Sequence, residues 1–139
     1  MMLRDPFLGE KFEPDLMWFI GVLDVYDREE TYGAELVVYD PNDRDDRVEL
    51  IKKYCLSLDY LSYRHRFLLV ENLAAKLNDQ NYDFQHLFEI DENEASSWPR
   101  SEWYELESPR GFLQDVYTLA TEIWKEDLLK ASLEDQKTW

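Results

Sequence analysis

The chain has 139 residues and sets 31 Asp and Glu against 15 Lys and Arg, a net charge of −16. Aromatic residues make up 15% of it, which separates it from acidic disordered segments, since those lack the apolar surface needed to offset chain entropy. The charge argues against nucleic-acid binding, because phosphate contacts need clustered cations. No apolar run approaches the roughly 18 residues of a membrane span.

The length suits one folded domain, residues 1–139, with enough buried surface for a core. The start of the chain, with Arg4, Asp5 and Pro6, lacks the basic-then-apolar pattern of a signal peptide. The lone Cys55 allows no internal disulfide, so cytoplasmic residence is expected.

Residues 1–14 contain Pro6, Gly9 and Pro14 and read as an irregular arm, pinned to the body by Phe7, Leu8 and Phe12. Residues 17–26 and 34–39 are rich in aromatic and β-branched types, and the intervening DREETYG offers turn chemistry with a permissive Gly33. That pattern predicts a β-hairpin. A rival pattern sits in the same residues: a helix from Pro14 would put Leu16, Phe19, Ile20 and Leu23 on one face.

Pro41 ends this unit. Asp43, Asp45 and Asp46 then mark a helix start, where the macrodipole favours anions. Val48, Ile51, Cys55 and Leu58 continue at helical spacing. A second helix is predicted with Tyr63, Phe67, Val70, Ala74 and Leu77 on one stripe and Leu69 and Leu73 beside it, closing near Asn78. Residues 78–107 are irregular, with a short third strand expected over 84–90 and a loop over 91–97. Ser108 is a fitting N-cap and Pro109 a fitting first helical residue. One long helix is expected from there to about Leu133, with Leu113, Val116, Ala120, Ile123 and Trp124 facing inward. The predicted class is therefore α+β, with an N-terminal β-hairpin, two central helices, the third strand and a long C-terminal helix. An all-α fold is the alternative.

No motif for catalysis, cofactor or metal emerges. The acidic run 40–46 starts like a calcium loop but places Arg44 at the third ligand position and has no Gly; the run 91–95 loses its third ligand to Ala95. Cys55, His65 and His86 lack the paired spacing of a zinc site. Cys55 falls on an apolar stripe and reads as a small buried hydrophobe. His65, flanked by Arg64 and Arg66, is not expected to be a buried base, and His86 is expected in an aromatic cluster with Tyr82 and Phe84. Four glycines in the whole chain leave no phosphate-cradling loop. No enzyme activity is expected.

What stands out is the stretch 89–107, EIDENEASSWPRSEWYELE. Tight interfaces combine aromatic anchors with charges that steer the encounter. Asp91, Glu92 and Glu94 are the expected steering rim, and Trp98, Glu102, Trp103, Tyr104 and Glu105 complete a candidate partner-binding surface. The plainer reading is that both tryptophans cap the core while the acids solvate a loop.

In overall profile the chain resembles the small acidic immunity proteins that neutralise basic toxins in bacterial competition. The resemblance is compositional. It implies a stoichiometric inhibitor of a basic partner, most concretely a nuclease-type toxin domain, acting by occlusion without cofactor, nucleic acid or membrane. Three other functions share the composition: a DNA mimic that blocks a nucleic-acid-binding enzyme, an enzyme with an unrecognised site, and a scaffold subunit. The run WFIGVLDVYD followed by Gly33 is superficially similar to the first hairpin of oligonucleotide-fold domains, but nothing after Pro41 continues it.

Overall fold

The computed structural model describes residues 2–89 and 97–139. Among them the fold is carried by helices, and the only β pairing is an isolated antiparallel bridge between Arg4 and Lys11. That bridge closes the arm on itself, with Gly9 at a φ of 70° in its turn. Phe12 pins the arm as expected and is buried, whereas Phe7 and Leu8 are exposed.

The expected hairpin is replaced by two short helices. The Asp15 carboxylate accepts the Met17 backbone N–H at 2.7 Å and opens α1 (Met17–Ile20), which tightens into a 3-10 turn over Gly21–Leu23. Leu16, Phe19, Ile20 and Leu23 are all buried, so the i, i+3, i+4, i+7 spacing outweighs the β-branched and aromatic content. The chain then reverses at Asp27, not Gly33. Asp27 takes a φ of 61°, and the turn is closed by the Arg28 N–H to the Val25 carbonyl at 2.7 Å. Gly33 lies inside α2 (Tyr32–Leu36), where an added Cβ would sit 3.5 Å from Val25.

α3 (Arg44–Leu50) begins where the aspartates predicted, with the Asp43 side chain accepting the Asp45 N–H. It continues through a π-helical turn over Ile51–Cys55, and Ile51, Cys55 and Leu58 are buried. Two other aspartates of this run also serve the backbone: Asp46 accepts from Asp40 N–H and Asp40 from Asn42 N–H, each at 2.9 Å.

α4 (Tyr63–Asn78) is present but rotated from its expected stripe. Its buried residues are His65, Leu69, Val70 and Leu73, while Tyr63, Phe67, Ala74 and Leu77 are half-buried. The chain's end covers part of that second face. Tyr63 donates its hydroxyl to Glu134 at 2.6 Å, and Phe67 meets Trp139 at 5.8 Å between ring centroids.

Where the third strand was expected, Phe84–Phe88 is a 3-10 helix with Phe84 and Phe88 buried, while Ile90 and residues 91–96 of the expected loop lie outside the described residues. Asp83 caps it by accepting the Gln85 N–H, and the exposed His86 between the two buried phenylalanines breaks the two-residue alternation of a strand. A second 3-10 segment, Ser101–Tyr104, buries Trp103.

The long C-terminal helix is two helices. α5 (Pro109–Ile123) starts at the expected Ser108 cap, and α6 (Lys125–Ser132) follows a break at Trp124. Trp124 is buried, its ring stacked on Phe19 at 5.9 Å. Ending α5 there lets this large side chain enter the core while α4 packs along both α5 and α6. Buried residues from the arm through Trp124 form one contiguous core.

Candidate functional site

The stretch singled out by sequence divides in two. Trp98 and Trp103 belong to the core, forming an aromatic block with Phe88 and Phe112. Their centroids lie 5.3 Å (Trp103–Phe112) to 6.3 Å (Trp98–Trp103) apart. The Trp98 indole N–H donates to the Phe88 carbonyl at 2.8 Å. Gln85 braces the segment from below, donating to the Tyr104 carbonyl at 3.1 Å and accepting the Leu106 N–H at 2.9 Å. Ser97 is tied back to the α1–α2 connection: its N–H meets Asp24 and its carbonyl accepts from Val25.

At the surface of this stretch stand Tyr104 and Glu105, both exposed, and the half-buried Glu102. Glu102 is gripped by Arg100 in a two-point pair at 2.9 and 3.2 Å. That guanidinium pulls the Glu102 carboxyl down to about 2. Asp91, Glu92 and Glu94 lie outside the described residues.

Arginines are drawn into structural work. Arg47 pairs with Asp115 at 3.0 Å, and Arg66 pairs with Asp127 at 2.8 Å while lying over the Trp124 ring. Arg64 pairs with Glu134 at 2.8 Å and lies over Trp139. Arg110 donates to the Leu77 and Asp79 carbonyls at the end of α4, where a cation suits the macrodipole. Even if every base in the chain held one acid, sixteen carboxylates would be left over.

A second surface was not expected from sequence. The arm, α1 and Tyr60 enclose an open groove of about 680 Å³. Trp18 and Tyr60 form its aromatic wall, with centroids 6.3 Å apart, and Glu13 and Asp15 stand on its rim, both exposed. Phe12 packs behind Trp18 at 5.4 Å, and the Trp18 indole N–H donates to the Glu13 carbonyl at 3.3 Å. Phe7, 68% exposed, contacts both Trp18 and Tyr60. The sequence signal was faint: three aromatics separated by 11 and 42 positions, on an arm, a helix and a loop.

No protein-family model, curated protein or solved structure matches this chain. Chemistry must therefore be read from the residues alone. Cys55 is fully buried, and burial pushes its thiol well above the ordinary range, so it is a packing residue. His65, contrary to expectation, is buried, as a capping residue of α4. His86, also contrary to expectation, is exposed and pairs with Glu89 at 3.0 Å. Among the described residues no group of three or more His, Cys, Asp and Glu is placed to hold a metal ion, and no helix is long and apolar enough to cross a membrane.

Proposed function

We propose that this protein is a stoichiometric inhibitor that binds a basic protein, most concretely an immunity protein that neutralises a nuclease-type toxin in the cytoplasm by occlusion. The observation that carries the reading is the sixteen-carboxylate excess on a folded helical domain whose arginines are largely spent on internal contacts. A field of that sign destabilises a compact state through self-repulsion, and its use is attraction of a cationic surface. Carboxylates would pair with the Lys and Arg that the toxin uses to hold its substrate, and aromatic side chains would supply the desolvated centre.

The test is rescue. The genes flanking this one are searched for a basic nuclease-type toxin domain, which is expressed with and without this chain, and the purified pair is titrated in a nuclease assay. Restored growth and loss of nuclease activity at one inhibitor per toxin support the reading. A toxin that stays active with the inhibitor in excess overturns it. With that complex in hand, association should slow steeply with salt as the Debye length falls to about 8 Å near 0.15 M.

A further inference from the structure

We infer that the groove between the arm, α1 and Tyr60 is an arginine-binding site, which takes a guanidinium-bearing segment of the basic partner. The inference rests on the proposed function for the partner's charge, and it moves the centre of contact away from the stretch 97–107. The tryptophans of that stretch are core residues, whereas Trp18 and Tyr60 stand at an open surface.

The occupant follows from the lining. Glu13, Asp15, Trp18, Val22 and Tyr60 present carboxylates, aromatic faces and an apolar floor, and no residue that lines the groove is basic. The molecule uses the same combination elsewhere with its own arginines. Arg66 lies 5.0 Å over the Trp124 ring with its charge on Asp127, and Arg64 lies 5.6 Å over Trp139 with its charge on Glu134. In both, a planar guanidinium covers an indole while a carboxylate neutralises it. The groove supplies the indole and two carboxylates, and an arginine from outside completes the set. Arginine suits it better than lysine, since the guanidinium stacks on aromatic rings and is weakly hydrated.

The wall is set before binding. Trp18 is held from behind by Phe12 and by its bond to the Glu13 carbonyl. Asp15 keeps its orientation by accepting the Met17 N–H. Little side-chain freedom is left to lose at these two residues on association.

The probe is a fluorescein-labelled peptide of alternating Arg and Gly, read by anisotropy at about 0.01 M ionic strength, where the Debye length is about 30 Å. A Lys–Gly peptide of equal charge is the comparison. The wild type should bind the Arg peptide more tightly than the Lys peptide. Glu13→Gln with Asp15→Asn should weaken Arg-peptide binding about tenfold, and the Asn keeps an acceptor for Met17. Tyr60→Ala, at an exposed position, should erase the preference for Arg over Lys. Glu71→Gln with Glu126→Gln removes the same charge elsewhere and should have less than about a twofold effect.

Equal losses in the two charge pairs mean diffuse attraction. That result overturns the groove and leaves the proposed function standing. Absence of any Arg preference in the wild type overturns it as well. Failure of the inhibitor reading is seen separately, in the toxin titration.

Discussion

His65 fastens the N-terminal arm to α4: its Nε2 lies 2.6 Å from the Arg4 carbonyl oxygen. The Ser62 backbone N–H can only donate, so Nδ1 accepts it at 3.2 Å, and Nε2 carries the hydrogen that reaches Arg4. One buried imidazole thus joins a helix cap to the arm that forms one side of the groove. His65→Phe keeps an aromatic ring and breaks both of these bonds and the 2.7 Å contact of Nδ1 with the Ser62 hydroxyl. It should cost about 1–3 kcal/mol and speed tryptic cleavage after Lys11. An unchanged denaturation midpoint with unchanged cleavage would refute the tether.

Trp98 and Trp103 are neighbours in one aromatic block, yet among the described residues only Trp98 finds a partner for its N–H, the Phe88 carbonyl. The Trp103 N–H is buried with none among the described residues. Trp98→Phe should therefore be worse than Trp103→Phe by about 1 kcal/mol, the worth of a lost buried hydrogen bond. Trp103→Ala should destabilise by roughly 3–5 kcal/mol through the cavity it leaves. Urea denaturation of the three variants decides this, and equal midpoints for the two Phe variants would contradict the assignment.

Legibility in the sequence followed the locality of the cause. The helix start at Asp43–Asp46, the cap at Ser108 and the buried Ile51, Cys55 and Leu58 were readable because each depends on neighbours within a few positions. Residues 17–39 misled because β-type composition and helical spacing coexist there, and packing of Phe19 against Trp124, far along the chain, decides between them. The break at Trp124 carries no proline or glycine to announce it. The stripe of α4 could not be placed because the chain's own end covers part of a second face. As for the site, an acidic surface was legible from composition. The groove was not, since it joins residues 13–22 to Tyr60, which have no sequence relation to one another.

Cys55 offers a simple check of the core. Its thiol is completely enclosed and held protonated by burial. Cys55→Ser places a hydroxyl in that apolar site and should cost about 1–3 kcal/mol. Native protein should resist a thiol reagent until unfolded. Fast labelling of the native state at a rate independent of denaturant would exclude this burial.

The pair between Arg100 and Glu102 predicts a pH signature. Arg100, beside it at 2.9 Å, and backbone hydrogen bonding lower the Glu102 carboxyl from an ordinary 4.5 to about 2. A carboxyl whose pKa is depressed by folding contributes stability above its unfolded value, and that contribution is lost as pH falls through the folded one. Glu102→Gln should therefore be less stable than wild type at neutral pH. The gap should narrow between about pH 4.5 and pH 2 and vanish below. The pair is half-buried but open to solvent, so the gap should be small and should shrink with added salt. Denaturation midpoints of both proteins across pH, at low and high salt, give the answer. A gap that stays constant from pH 7 to pH 2 would mean that Glu102 acts through packing and not through its charge.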